Sequence, residues 1–296
     1  MDAKVPLRKT HAPDRGGGTD SLGRLANKVL RPLGLRLGRA SILDEIIDLH
    51  GPLTVAAKRH SATVAEVEAY LRERLFTELR PCQGRAELMS CLNGTSVIEA
   101  MYLIDCLYRS LDCAGDICEF GVAQGATSAL IANEIRNISK QLWLFDSFEG
   151  LPAPTEKDEL IDDIFELGDI RNYEGQMAFP SEVVRGKLSE IGYPPEKTNI
   201  VAGFVDDAFL SRPSLPAKVC FAYVDFDFYA PILSALRFLR DRMAVGSHVL
   251  VDDYNFFSSG AKTAVDEFVQ ESKGAYDLVL PHDSAGRFCM LRRAAA

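Results

Sequence analysis

The stretch Asp116-Ile117-Cys118-Glu119-Phe120-Gly121-Val122-Ala123-Gln124-Gly125-Ala126-Thr127-Ser128 decides the fold. An apolar run, which predicts a strand, turns through two glycines into the start of a helix. Glycines let a backbone come close to a ligand, and a helix N-terminus offers amide donors to an anion. The pattern E-x-G-x-x-x-G therefore predicts a ligand-binding loop, with a tight turn that binds nothing as the alternative. The candidate contacts are Glu119, Gly121, Val122, Gly125, Thr127 and Ser128.

Apolar runs and helical stretches alternate along the rest of the chain. Runs at residues 117–120, 142–145, 200–202, 219–224 and 249–251 predict strands buried on both faces. Helical periodicity covers residues 96–112, 126–138, 181–191, 230–242 and 260–272, and the first of these helices opens on the capping box Ser96-Val97-Ile98-Glu99. The last two runs, 276–280 and 287–291, predict a hairpin. The fold class is therefore α/β, a doubly wound, mostly parallel seven-stranded sheet with an antiparallel C-terminal hairpin.

The composition is that of an ordinary globular protein. Hydrophobic residues make up 47% of the 296 residues and charged residues 25%, which excludes collagen-like and wholly disordered chains. The net charge of −9 argues against nucleic acid as a partner. Because the sequence shows no membrane span or signal peptide, we expect a cytoplasmic protein. The seven cysteines form no C-x-x-C pair and predict reduced, mostly buried thiols.

The N-terminal region differs in charge from the rest. Residues 1–40 carry nine basic and three acidic side chains. Residues 1–20 contain a triple glycine and few apolar side chains, which predicts a disordered basic tail. Residues 21–94 predict a helical N-terminal extension. For its basic amphipathic part, residues 21–40, two interpretations stay open: packing on its own domain or on a second subunit of a homo-oligomer, and weak contact with an anionic membrane surface.

A second acidic position accompanies the glycine loop. Asp146 and Ser147 follow the second apolar run, and Asp146 lies about 20 residues beyond the loop, where an acid can accept hydrogen bonds from ribose hydroxyls. Both residues are candidate cofactor contacts, with a turn cap as the alternative for Asp146. Glu119 suits a cationic cofactor better than a pyrophosphate, whose charge it would repel. We therefore expect S-adenosylmethionine, with a nicotinamide-dependent oxidoreductase as the rival.

Four aspartates follow two further strands. Asp225 and Asp227 come directly after the 219–224 run, and Asp252 and Asp253 follow the 249–251 run. The carboxyl ends of neighbouring parallel strands meet at one edge of a sheet, so we expect these carboxylates to converge beside the glycine loop. Carboxylates without His or Cys favour a hard cation such as Mg²⁺. The alternative is that some of them cap helices.

At these residues the chain resembles the macrocin O-methyltransferase family, Mg²⁺-dependent S-adenosylmethionine enzymes that methylate hydroxyls, often those of sugars on natural products or glycans. The resemblance runs from about Thr95 to Arg292 and rests on Glu119-Phe120-Gly121-Val122 with Gly125, Asp146-Ser147-Phe148-Glu149-Gly150-Leu151-Pro152, Asp225-Phe226-Asp227-Phe228-Tyr229 and Asp252-Asp253-Tyr254. It implies a class I, Rossmann-like methyltransferase domain over residues 95–296.

The resemblance also implies roles. Asp225, Asp252 and Asp253 would hold the metal, and Asp227 would act as the general base. The partner would be a small-molecule or glycan acceptor with vicinal hydroxyls, and a catechol or phenol acceptor uses the same chemistry. A non-catalytic binding protein would need a degraded site, whereas the glycine loop and all four aspartates are present.

Residues 151–180 form a long acidic segment without clear periodicity. A segment of this kind inside a compact domain is often a lid or a binding loop. We therefore predict that it closes over the acceptor, with a surface excursion without a role as the alternative.

Overall fold

The computed structural model describes residues 40–282 and 285–295. The chain divides into two units, residues 1–59 and 60–296. In the first unit the described residues belong to helix α1 (Ala40–Arg74). The tail predicted over residues 1–20 and the amphipathic segment up to residue 39 lie outside the described residues. Within the described ranges, no helix has the length and apolar character of a membrane span.

A seven-stranded sheet runs through the second unit in the order β3-β2-β1-β4-β5-β7-β6. Strands β1 to β5 pair in parallel, whereas β7 pairs antiparallel with both β5 and β6. The predicted fold class, with its antiparallel terminal hairpin, is confirmed. The strands are β1 (Asp116–Phe120), β2 (Leu142–Asp146), β3 (Thr198–Ala202), β4 (Val219–Val224), β5 (Met243–Val251), β6 (Tyr276–Val279) and β7 (Cys289–Arg293).

Helices connect the parallel strands and cover the sheet. After α1 they are α2 (Arg85–Met89), α3 (Val97–Ser110), α4 (Ala126–Ile135), α5 (Ser181–Glu190), α6 (Asp207–Leu210), α7 (Tyr229–Arg240) and α8 (Ser259–Glu271). The five helices predicted from periodicity correspond to α3, α4, α5, α7 and α8. The short α6 was not predicted, because four residues cannot display a helical period.

The two faces of the sheet pack into two hydrophobic clusters. Side chains alternate between the clusters along a strand, as the pleat requires: Ile117 belongs to the cluster that contains α3 and α4, and Cys118 to the one that contains α7 and α8. Every residue of β4 is buried, which explains its uninterrupted apolar run. Four cysteines are buried, as predicted: Cys106, Cys118, Cys220 and Cys289.

Residues 60–94 share the hydrophobic core of the unit that contains the sheet. Within the described part of the helical extension predicted over residues 21–94, the helices are the long α1 and the short α2. Val64, Phe76 and Met89 belong to the same hydrophobic cluster as α3. Residues 60–94 therefore belong to the same compact unit as the sheet, and the domain start at residue 95 stays a prediction.

Candidate active site

A cavity of about 810 Å³ opens at the carboxyl ends of the parallel strands, where ligands bind in doubly wound sheets. It brings most of the predicted site residues together. Glu119, Gly125 and Ser128 are buried and do not line it. The predicted residues that line it are Gly121, Val122, Thr127, Asp146, Ser147, Asp225, Asp227, Asp252 and Asp253.

The glycine loop touches the backbone that carries the first aspartate. Gly121 has φ +86°, and a Cβ there would lie 1.7 Å from the Asp225 carbonyl oxygen. A side chain at this position is therefore excluded both by conformation and by contact. The predicted cofactor loop and the predicted metal site are consequently adjoining parts of one structure.

Glu119 lies directly behind the cavity wall. Its carboxyl is fully buried, and its Oε1 accepts a hydrogen bond of 2.5 Å from the hydroxyl of Thr127, which lines the cavity. Burial raises the pKa of Glu119 to about 8, against the lowering effect of the Ser128 and Thr127 hydroxyls. Its Oε2 has no hydrogen-bond partner among the described residues. Through the Thr127 hydroxyl this buried acid is linked to the wall of the cavity, beside the loop predicted to bind S-adenosylmethionine.

Asp146 braces the glycine loop from the end of β2. Its Oδ2 accepts hydrogen bonds from the amides of Val122 (2.7 Å) and Ala123 (3.0 Å), and its Oδ1 accepts one from Phe148 (2.7 Å). This is the turn-cap geometry named as the alternative role. Because a carboxylate oxygen accepts more than one hydrogen bond, the cap leaves acceptor capacity facing the cavity, and the ribose contact stays a prediction.

The aspartates converge, with one difference from the predicted grouping. Asp225, Asp227 and Asp253 can each offer one carboxylate oxygen, and these oxygens lie within 4.8 Å of one another. Asp252, also predicted as a ligand, accepts hydrogen bonds from the Tyr223 hydroxyl (2.6 Å) and the Asp253 amide (2.7 Å), and its ligand role stays a prediction. The phenol of Tyr223 therefore fixes the orientation of the Asp252 carboxylate beside these oxygens. An all-carboxylate donor set is the chemistry that Mg²⁺ prefers.

These carboxyls repel one another in a poorly solvated place. Burial, and then the neighbouring acids, raise the pKa of Asp225 and of Asp253 well above the ordinary aspartate range. Burial and the Asp225 charge raise the pKa of Asp227 to about 7, although a hydrogen bond to Asp253 opposes the shift. Among the described residues that line the cavity, none is basic. A bound cation would therefore relieve the repulsion.

Glu99 is a site residue that the sequence reasoning missed. As the capping box predicts, the Ser96 hydroxyl accepts a hydrogen bond from the Glu99 amide (3.1 Å), and the Glu99 carboxyl is buried near Asp252. Burial and then Asp252 raise the pKa of Glu99 to about 11. The available signal was an acid among the apolar positions of the α3 face.

Two further parts of the cavity wall were also missed. One follows β3. It could have been predicted, because ligands bind at the carboxyl ends of parallel strands. The other precedes α3 and falls at the boundary assigned to the extension, so its position was not recognised. These residues are Phe204, Val205 and Asp206, and Cys91, Leu92, Asn93, Gly94 and Thr95.

The strand order, the glycine loop after β1 and the acidic residues after β2, β4 and β5 define a class I, Rossmann-like methyltransferase fold. The sequence profile of the family described as Macrocin-O-methyltransferase (TylF) matches residues 102–285. The chain belongs to this family, which confirms the resemblance.

Relatives and solved structures agree with this assignment. The chain is 26% identical over 170 residues to the 8-demethyl-8-(2,3-dimethoxy-alpha-L-rhamnosyl)-tetracenomycin-C 4'-O-methyltransferase of Streptomyces olivaceus, covering 56% of this chain and 61% of that protein. It is 25% identical over 179 residues to the mycinamicin III 3''-O-methyltransferase of Micromonospora griseorubida, covering 58% and 66%. The chain thus spans less than two thirds of the length of either relative.

Two solved structures share the fold. The O-methyltransferase NovP matches with a TM-score of 0.55 and 20% identity, over 68% of this chain and 81% of that chain. The calicheamicin methyltransferase CalS11 matches with a TM-score of 0.52 and 19% identity, over 95% of this chain and 99% of that chain.

Proposed function

We propose that this chain is an S-adenosylmethionine-dependent O-methyltransferase that acts on a hydroxyl of a sugar or of a glycosylated natural product, with Mg²⁺ at the aspartates. The observation that carries the proposal is one cavity lined by both the glycine loop and all four aspartates. Family membership supports the reaction. The names of the relatives, which are O-methyltransferases of a rhamnosyl tetracenomycin and of mycinamicin III, support the acceptor class.

Asp225, Asp252 and Asp253 would hold the cation, and Asp227 would take the proton of the acceptor. Bound there, Mg²⁺ supplies a Lewis acid that lowers the pKa of an acceptor hydroxyl. Asp227 accepts the hydroxyl proton while the acceptor oxygen forms its bond to the methyl carbon and the carbon–sulfur bond breaks. Asp227 lines the cavity, where a general base must lie to reach the acceptor hydroxyl.

The apolar part of the cavity also favours a phenolic acceptor. Phe165, Phe179 and Phe256 line the same cavity as the aspartates, and aromatic rings pack against one another in offset or edge-to-face geometry. A catechol or phenol methyltransferase is therefore the second candidate, with the same metal and base.

The deciding experiment is incubation with methyl-labelled S-adenosylmethionine and Mg²⁺ against a panel of glycosides, nucleotide sugars and catechols, read by mass spectrometry. We expect label on a sugar hydroxyl, loss of transfer in chelator and recovery when Mg²⁺ is restored. Label on catechols alone selects the second candidate, and full transfer in chelator overturns the metal. Thermal stabilisation by NAD, without stabilisation by S-adenosylhomocysteine, would favour the oxidoreductase.

A further inference from the structure

The loop that carries Asp227 has an unfavourable backbone conformation. Asp227 has φ 62°, in the left-handed region, which costs a non-glycine residue free energy and persists where the surroundings fix it. The loop is short, because β4 ends at Val224 and α7 begins at Tyr229. Contacts from other elements therefore hold the backbone of this loop, which carries the Asp227 carboxyl.

Asp158 makes one of these contacts from the 151–180 segment. This side chain is 4% exposed, and its Oδ1 accepts a hydrogen bond of 2.7 Å from the amide of Tyr229, the first residue of α7. The first amides of a helix lack intrahelical acceptors, and a carboxylate there also favours the helix dipole. Its Oδ2 accepts from the amide (2.7 Å) and the hydroxyl (2.8 Å) of Thr155, so the orientation of the carboxylate is fixed.

Ser258 holds the same loop from the other side. Its buried hydroxyl donates a hydrogen bond of 2.7 Å to the carbonyl oxygen of Asp227. Two residues later, a Cβ at Gly260 would lie 1.8 Å from the Asp158 Oδ1 and 2.7 Å from the Tyr229 amide. The start of α8 is therefore packed tightly against the Asp158–Tyr229 hydrogen bond.

The 151–180 segment is anchored to the start of α8. The Ile161 amide donates to the Phe257 carbonyl (2.9 Å), and the Ser259 amide donates to the Glu159 carbonyl (2.9 Å). The buried ring of Tyr173 packs on Phe257, which in turn stacks on Phe228 beside Asp227. The same segment contributes Leu151, Pro152, Ala153, Ile164, Phe165, Met177 and Phe179 to the cavity wall.

We propose that Asp158 is a positioning residue for Asp227. Through Asp158, the 151–180 segment, which lines the acceptor cavity, also sets the placement of the base. The proposal rests on the proposed function for the role of Asp227. In this proposal the segment has a role other than that of a lid. The hydrogen bond from the first amide of α7 to Asp158 connects the wall of the acceptor cavity to the loop that carries Asp227.

The test compares Asp158→Ala, Asp158→Asn and the control Asp169→Ala. Asp169 lies in the same segment, but its carboxylate accepts hydrogen bonds from its neighbour Arg171 and does not contact α7. We expect Asp158→Ala to lower kcat about 10- to 100-fold, since a small misplacement of a catalytic group has effects of this size, with unchanged KM for S-adenosylmethionine. Asp158→Asn retains an acceptor oxygen and should recover most of kcat, and Asp169→Ala should match the wild type.

Hydrogen exchange of the Tyr229 amide supplies a readout without any substrate. We expect faster exchange in Asp158→Ala than in Asp169→Ala, and this comparison tests whether Asp158 holds the start of α7 even if the wild type transfers no methyl group and the proposed function fails. Where Asp158→Ala does not fold, Ser258→Ala tests the same loop from its other contact, with the same expected loss of kcat. Wild-type kcat and wild-type exchange in Asp158→Ala would overturn the proposal.

Discussion

The hydroxyl of Tyr223 donates a 2.6 Å hydrogen bond to the Asp252 carboxylate and lies 3.3 Å from a carboxylate oxygen of Asp225. One buried phenol on β4 therefore bridges the acids that follow two neighbouring strands. Glu99 reaches Asp252 from α3 on another side. The acids proposed to bind Mg²⁺ are thus oriented by side chains that do not belong to any of the four recognised motifs.

Replacing Tyr223 by Phe should weaken Mg²⁺ binding about 10- to 100-fold, because partners that orient metal ligands typically contribute this much. The measurement is calorimetric titration of the metal-free protein with Mg²⁺. Tyr193→Phe is the matched control, since the Tyr193 hydroxyl is buried without a hydrogen-bond partner among the described residues and does not line the cavity. Equal Mg²⁺ affinity in the two variants would contradict the bridging role of Tyr223.

Asp227→Asn should lower kcat about 10²- to 10⁴-fold, the usual contribution of a general base, and leave the affinity for S-adenosylhomocysteine unchanged. Asparagine tolerates the left-handed conformation that Asp227 adopts, so the backbone is preserved. Mg²⁺ titration of the same variant separates the two roles of Asp227. Retained metal affinity supports a base, lost affinity makes Asp227 a ligand, and wild-type turnover contradicts both.

Much of the fold could be predicted because local patterns and topology agree. The buried strands β1 and β4 read as uninterrupted apolar runs, and the helices that connect them show a 3.6-residue period. The position of the cavity followed from the general rule for parallel sheets. The packing of Phe76 and Met89 into the core could not be predicted, because it leaves no signal in the motifs.

The details of the site were less predictable, because each depends on residues distant in sequence. Asp158 and Tyr229 meet across 71 positions, and nothing near Asp158 marks it as a helix cap. Glu99 fits a local capping box, but its buried carboxyl interacts with Asp252, which is distant in sequence. In both cases the tertiary environment decides between two roles that the local sequence allows equally.

Glu119 should make the stability of the ligand-free protein fall as pH rises. Its pKa is raised by burial from 4.5 to about 8, so between these values the folded state holds a proton that the unfolded state has lost, and the free energy of unfolding decreases with pH. The slope attributable to this group is up to about 1.4 kcal/mol per pH unit. Urea unfolding from pH 5 to 8 should show a shallower decline in Glu119→Gln, and parallel declines would contradict the assignment.

Gly121→Ala should abolish binding of S-adenosylhomocysteine, because the added Cβ would lie 1.7 Å from the Asp225 carbonyl oxygen. Gly168→Ala is the control: Gly168 also has a positive φ, but a Cβ there meets no heavy atom within 4 Å. Both variants carry the conformational strain of a positive φ, and the clash distinguishes them. Calorimetry should show loss of S-adenosylhomocysteine binding in Gly121→Ala alone. Equal affinity in the two variants would show that the glycine loop is not part of the cofactor site.

Arg85→Met should destabilise the fold by about 3–5 kcal/mol, the cost of removing one partner of a buried ion pair. The Arg85 side chain is 1% exposed. It donates two hydrogen bonds to Glu134 on α4 (2.8 and 2.7 Å) and one to Glu68 on α1 (3.1 Å). Its replacement therefore leaves the buried Glu134 charge without a cationic partner. Arg109→Ala removes an ion pair whose arginine is 60% exposed, and a surface pair contributes about 1 kcal/mol or less. Urea unfolding measures both variants. If both variants lose a similarly small free energy of unfolding, the buried ion pairs contribute no more than a surface pair. The packing of α1, α2 and α4 would then depend on apolar contacts.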